Sequence, residues 1–537
     1  MILPRHLLCL LTCGCAQKII TVHPMKIRAF TSFCIGVCLC FLAGLLVSSA
    51  YAGLLGANIN ADADLMKGNY TAADSGFTYP LFNQPGVNPA AFWDNMVEQY
   101  DSAQLDFVAI WLKGSKQPAG RSEVFKGLVA AINKRGLTDR LKIVPFDDNP
   151  ASWTAQWNLD NGRGYGYAKP FDLADTNNWV YIWDNNFKIF FQNVPDANRL
   201  KINGRPMISF WSLELLFVTN ANGNASQMLA YLRRQCEAAF GFNPYITVPT
   251  EWISKDPSSD DPKIIDAVRP WFVPVVRSPA YSTWNTYTWN GGVLGCVVPG
   301  YHHGSGTASW IDPDHGATLS AGLGNTVAAS LLTFVEGFDN MWESAICWRA
   351  RNLDTNGTSL SYTQMGQQDY PNQRINILRK FSNRPFPPDL KEEAEGCDTF
   401  GGGVGRDNVK NYYRNGAISI YPCMDVYGGY YVGNTQSNQW LEWREVPLQG
   451  SFHINVRVTT TNAACRLHFV IDEVAYPSVI LPNTHGFENW QAVDMGRYNF
   501  PNQSYHTVRL VFDTGRFDLN FWQLSRPPPI AHFQKHP

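Results

Sequence analysis

Between residues 53 and 390 the chain alternates short apolar runs with longer stretches in which apolar positions recur every three or four residues. The runs LLGANI (54–59), DFVAIWL (106–112), LKIVPF (141–146), PMISFW (206–211), YITVP (245–249), FVPVV (272–276), LGCVVP (294–299) and LLTFVE (331–336) predict eight strands. Their apolar residues are nearly continuous, as expected of strands buried on both faces. Helical periodicity covers 122–135, 177–193, 225–240, 262–268 and 319–330, then 373–381 after the last strand. Repeated alternation of strand and helix predicts parallel βαβ units, and eight of them predict an α/β fold, a (β/α)8 TIM barrel with long loops over 53–384.

The pattern changes after NRPFPPDL, which places a linker at 385–391. Beyond it KEEAEG, QWLEWREVPLQGSFHINVRV, LPNTHGFENWQAVDMG and HTVRLVFDTGRFDLNFWQL alternate apolar and polar residues between turns. Period two predicts an all-β jelly-roll sandwich over 392–526, followed by a tail at 527–537. At the other end, MKIRAF begins at Met25 with Lys26 and Arg28, an apolar run extends from Cys34 to Val47, and Ala50-Tyr51-Ala52 forms a small-x-small site before Gly53. This is the pattern of a signal peptide, so 1–52 is expected to be a leader with its start at Met25, and the mature protein to be secreted or periplasmic. The apolar run is too short for a stable membrane anchor.

Composition narrows the chemistry. A formal net charge of −2 leaves no basic field for phosphate backbones, which excludes nucleic acid as an expected partner. Aromatic residues make up 13%, with 18 Trp and 23 Tyr, more than cores alone usually need; sugar-stacking rings and β-rich cores are the two explanations. Six of the 12 cysteines lie in the leader, and the remaining Cys236, Cys296, Cys347, Cys397, Cys423 and Cys465 lack zinc-site spacing. Export permits disulfides, and Cys397 with Cys423 is the first pair to test.

In the predicted barrel, residues just after each strand form the site. These are Asp147 and Asp148 after the third strand, Glu251 and Trp252 after the fifth, and Arg277 and Tyr281 after the sixth. Tyr301 and His302 follow the seventh, and Glu336, Asp339, Trp342 and Glu343 the eighth. Carboxylates and aromatics after several strands suit glycoside hydrolysis, which uses one acid to protonate the leaving oxygen and one carboxylate to attack carbon or activate water. Glu343 and Glu336 are the first catalytic pair. A helical turn after Gly337 would place Asp339 on the same face, and Glu251 is the next acid. The competing structural role for Glu336 is a buried ion pair with a strand arginine. No HExxH, GxSxG or P-loop pattern is present.

The segment FDNMWESA resembles the eighth-strand motif W-N-E/D-x-x-E of glycoside hydrolase families 99 and 71. Phe338 replaces the Trp, Asp339 the Asn and Asn340 the first acid, while Glu343 matches the second. Residues 53–390 also resemble a secreted bacterial barrel family related to these hydrolases. The four later stretches resemble family 6 and family 35 carbohydrate-binding modules, which implies a structural calcium held by Glu393 and Glu395 with Asp518 or Asn520. It also implies sugar stacking on Phe487, with Trp490 in the core. Asn434 stands where a second stacking tyrosine is usual, and Tyr430 or Tyr431 is the expected substitute. Together these resemblances imply a secreted, monomeric glycoside hydrolase acting on a polysaccharide or oligosaccharide, with an appended carbohydrate-binding module and no organic cofactor. The alternative is a non-catalytic glycan-binding surface protein.

Overall fold

The computed structural model describes residues 53–525 except 61–78, 81–88, 113–117, 148–150, 212, 214–217, 222, 272–282, 303–309, 341–342, 344, 352–367, 404–416 and 427–428. Among the described residues, the main sheet of its first half has eight strands paired in parallel: β1 (Leu54–Ile59), β2 (Phe107–Leu112), β3 (Lys142–Asp147), β4 (Arg205–Phe210), β5 (Tyr245–Pro249), β6 (Ala267–Arg269), β7 (Gly292–Val297) and β8 (Leu332–Val335). They are hydrogen-bonded in the order β6-β5-β4-β3-β2-β1-β8-β7, and Trp284–Trp289 adds an antiparallel strand to β7.

Alternation along these strands sorts side chains onto two faces. Leu55, Ala57, Val108, Ile110, Ile143, Ile208, Ile246, Val297 and Val335 join the core packed by helices, including Pro89–Ser102 and Asn224–Phe240. Phe107, Val144, Phe146, Met207, Tyr245, Ala267, Leu294, Leu332 and Phe334 form a second cluster on the opposite face. Ala267 of β6 and Leu294 of β7 belong to that one cluster although they lie near opposite ends of the strand order, so the sheet curls round a core of its own.

The sixth strand departs from expectation. It is Ala267–Arg269, paired in parallel with Thr247–Pro249, whereas the run 272–276 lies outside the described residues. Ala267 and Val268 close the segment 262–268 read as helical, and the charge of Arg269 just after it hid a strand position. The turn after β8 also differs. Gly337 has φ +98°, and Asp339–Asn340 pairs antiparallel with Ala345–Ile346, so a hairpin replaces the expected helical turn. A Cβ at Gly337 would stand 2.1 Å from the Ala345 carbonyl oxygen, which only glycine avoids.

The second half is an antiparallel β-sandwich built on two long strands, Gln439–Thr459 and Gln491–Thr514, with Asp518–Ser525 and Tyr430–Gly433 beside them. A register shift between Trp443 and Val446 sets Glu445 at φ +55°. Such a bulge re-aims a side chain. Here Glu445 turns toward helix Gln373–Phe381 of the first half, accepting from Tyr370 Oη at 2.7 Å and pairing with Lys380.

Buried polar groups join the two halves. Arg349 makes a bidentate pair with Glu98 at 2.8 and 3.0 Å and donates from Nε to Asn372 at 2.6 Å. Asn372 donates to Asp398 and to the Gly396 carbonyl of the sandwich, and Arg379 pairs with Glu392 at 3.4 Å. Burial alone would raise the Glu98 carboxyl, but Arg349 outweighs it and holds the carboxyl below the usual value. Cys397 and Cys423, the pair named first for testing, are both buried, as are the other four described cysteines, and no disulfide joins them.

Candidate functional site

The C-terminal ends of the parallel strands carry a polar group over the inner core. Glu336, just past β8, is 3% exposed and accepts a short hydrogen bond from Asn58 Nδ2 of β1. Arg269 Nη2 lies 3.6 Å from its carboxylate and Cys296 Sγ 3.8 Å. Burial raises Glu336 to about 7, opposed by Arg269, Cys296 and Asn58 and assisted by Glu343. This is the buried ion pair with a strand arginine that was the competing structural role for Glu336. Asp339 is also buried, and its Oδ1 accepts from the Asn60 backbone at 2.6 Å, clamping the hairpin to β1.

Glu343 is more open. Its Oε1 accepts from Tyr301 Oη at 2.9 Å and its Oε2 from Asn340 Nδ2 at 2.7 Å. Burial, and the Glu343 charge beside it, push the Tyr301 phenol well above its ordinary value, so it remains a donor at all working pH. Asn340, the departure from the hydrolase motif, is therefore a hydrogen-bond donor that orients Glu343. Glu251 is partly buried in the first turn of helix Thr250–Lys255, directly after β5, and its Oε2 makes no hydrogen bond to the protein.

Three tryptophans absent from the sequence expectations stand at the open end of the inner core. Trp111, next to last in β2, and Trp211 and Trp271, just past β4 and β6, are partly buried against that cluster. Trp211 and Trp271 meet edge to face at 6.1 Å, and Trp271 lies nearly parallel to Phe146 at 6.3 Å. Trp271 also packs against the cluster of Cys296, Tyr301 and Ala345, linking the aromatic wall to the Tyr301–Glu343 pair. The indoles at the next-to-last position of DFVAIWL and the last of PMISFW were the available signal.

Two expected substrate contacts are corrected. Trp252 is fully buried, with its indole donating to the Trp211 carbonyl at 2.7 Å, because helix Thr250–Lys255 turns it into the helix-side core. Asp147 is fully buried and bonded by Asn186 Nδ2 at 3.3 Å under the helical segment Trp183–Phe187. Asp148, Arg277, Tyr281 and Trp342 lie outside the described residues, and of His302 the backbone alone is described, paired with Trp310.

In the sandwich a cleft of about 620 Å3 is lined by Tyr421, Tyr431, Asn434, Thr461, Phe487 and Asp518, among others. Tyr431 packs between Tyr421 at 5.5 Å and Trp490 at 5.2 Å, while Phe487 is 47% exposed. Tyr430 is instead a core residue, and Trp490 braces Tyr431. Asp518 is the principal correction here. It lies in this cleft, accepting from the Asn434 backbone at 3.2 Å, and burial raises it to about 7 against that bond.

Glu393 and Glu395 lie elsewhere, at the first sandwich strand. Glu393 pairs with Lys391; burial, reinforced by Glu393, pushes Glu395 well above its ordinary range. Asn520 donates to Asp425 at 3.0 Å while its buried Oδ1 makes no hydrogen bond to the protein. Two buried carboxylates and an orphaned amide oxygen are hard donors of the kind calcium takes. Among the described residues no group of three or more His, Cys, Asp or Glu is arranged to hold a metal.

An aromatic-lined cleft in a β-sandwich beside an α/β domain defines a two-domain protein with a carbohydrate-binding module. Residues 414–524 match the model of carbohydrate binding module family 35. Residues 51–399 match the model described as "Domain of unknown function (DUF5010)", and the chain belongs to that family. Solved structures similar to part of the chain include the C-terminal family 6 module of a marine laminarinase from Zobellia galactanivorans, at 21% identity, covering 26% of this chain and 99% of that one with a TM-score of 0.21. A β-1,3-glucan-binding family 6 module from Bacillus halodurans gives 22%, 26%, 97% and 0.21 for the same quantities. A family 35 module from Clostridium thermocellum gives 16%, 26%, 98% and 0.20. No curated protein matches the chain.

Proposed function

We propose that this protein is a secreted glycoside hydrolase whose α/β domain is a (β/α)8 barrel and whose sandwich holds the polysaccharide being cut. The observation that carries the reading is the meeting of Glu343, Tyr301 and the Trp211–Trp271 corner at the C-terminal strand ends, on a chain that also bears a carbohydrate-binding module. The consecutive strand order, with β8 beside β1 and one inner cluster, supports the barrel. Glu343 acts with Glu251, the acid after β5, while Glu336 and Asp339 hold the frame. One carboxyl protonates the leaving oxygen and the other attacks the anomeric carbon or activates water. Tyr431 and Phe487 stack on sugar rings at the cleft, and Glu393, Glu395 and Asn520 hold a structural calcium.

The test is release of reducing ends from a polysaccharide panel by purified protein. Glu343→Gln and Glu251→Gln should each abolish release while retaining binding. If both variants cleave as well as wild type, the catalytic assignment is wrong. A second reading, a non-catalytic glycan-binding protein, is favoured by Asn340 at the place of an acid in the resembling hydrolases; it predicts binding with no release by wild type.

A further inference from the structure

Arg269 is completely buried, and its Nε, Nη1 and Nη2 make no hydrogen bond to the protein. A guanidinium withdrawn from water is costly unless charge and polarisable surface replace the solvent. Both are present. The Glu336 carboxylate lies 3.6 Å away, and the rings of Phe334, Phe146 and Trp271 stand 4.5, 4.7 and 5.0 Å from Cζ. Trp271 packs in turn against the cluster containing Tyr301, whose hydroxyl holds Glu343. One cation therefore contacts both the Glu336 carboxylate and the aromatic wall that packs against the Tyr301–Glu343 pair.

We propose that Arg269 is the positioning residue of this site: it seats the Glu336 carboxylate beneath Asn58 and fixes the Trp271 indole next to the Tyr301–Glu343 pair, so that the wall is set before a sugar enters. The inference rests on reading the strand ends as the sugar site. Arginine suits the role better than lysine, because a planar guanidinium stacks on rings while presenting charge to a carboxylate. The groups facing Glu336 are Arg269, Asn58, Cys296 and, at longer range, Glu343. Removing Arg269 leaves Glu336 buried without its cation, which matters where Glu336 is ionised.

The experiment uses full-length protein as wild type, Arg269→Met, Arg269→Lys, and Arg269→Met combined with Glu336→Gln. Thermal melts from pH 5.5 to 8.5 and the near-ultraviolet dichroism of the tryptophans are measured, with hydrolysis rates on any polysaccharide that the wild type cleaves. Arg269→Met should lower Tm by about 4 °C at pH 8.5 and by much less at pH 5.5. Adding Glu336→Gln should recover at least half of that loss. Arg269→Lys should keep the pH pattern but change the tryptophan dichroism as Arg269→Met does, and lower kcat tenfold or more. A pH-independent loss that Glu336→Gln does not recover, or unchanged dichroism in both variants, would overturn the proposal. Should wild type cleave nothing, the hydrolase reading falls while the melts and spectra still decide Arg269. If Arg269→Met does not fold, the lysine and double variants decide it.

Discussion

Replacing Arg349 with Leu tests whether the two halves unfold as one. The substitution removes two hydrogen bonds to Glu98 and one to Asn372 and strands the Glu98 carboxylate in a site that excludes water. Breaking a buried pair from one side costs about 3–5 kcal/mol. Unfolding entropy of ~2.1 cal/mol/K per residue over roughly 470 residues gives ~1 kcal/mol/K, so Tm should fall by about 3–5 °C if sandwich and α/β domain melt together. Scanning calorimetry should show one transition in wild type and one shifted transition in the variant. Adding Glu98→Gln should restore part of the loss, since a neutral amide is cheaper to leave unpaired. The Glu98 carboxyl sits below its ordinary value in the folded protein, so the pair contributes fully at neutral pH and is lost as pH falls through its folded value; the Arg349→Leu deficit should shrink in acid. Two resolved transitions in wild type, with one of them unmoved by Arg349→Leu, would refute the coupling.

Gly337→Ala should cost about 3 kcal/mol or more, because φ +98° and the Ala345 carbonyl at 2.1 Å both reject a Cβ; reducing-end release should drop with Tm. Tyr431→Ala should weaken polysaccharide binding about tenfold in affinity electrophoresis, the worth of one lost stacking ring. Asp518→Asn should raise Tm by about 2–4 °C at pH 8 and leave it unchanged at pH 3. The sign follows because burial lifts Asp518 to about 7: the unfolded chain loses this proton first, so stability falls as pH rises from its ordinary value toward 7. Chelation should lower Tm and added CaCl2 restore it; melts indifferent to both would remove calcium from the proposal.

Strand positions were legible where burial on both faces made apolar runs continuous. LLGANI and YITVP coincide with β1 and β5, and five other runs fall within two residues at either end. The exception is β6, three residues long and ending in Arg269, where a charge at an inner position breaks the run on which strand recognition depends. The same residue explains why the site was only partly legible. Acids after strands are visible in a sequence, but whether a carboxylate faces solvent or a buried guanidinium depends on a partner 67 residues away, as with Glu336 and Arg269. Alternation foretells a face and nothing about which neighbour fills it. Asp518 and Asn520 show this at closer range: two residues apart on one strand, one enters the Tyr431 cleft and the other bonds Asp425.

Buried hydrogen bonds link the hairpin that carries Glu343 to the sandwich. The hairpin that carries Glu343 closes at Ala345–Ile346, and Arg374 of the helix facing the sandwich donates to the Ile346 carbonyl. Three residues on, the Arg349 backbone donates to Gln99 while its guanidinium is fixed by Glu98 and by Asn372, which Asp398 of the sandwich orients. Gly396 admits that guanidinium, since a Cβ there would lie 2.9 Å from Arg349 Cζ. Sandwich side chains therefore form part of the support for the Glu343 hairpin, through bonds that are buried and hence little weakened by salt.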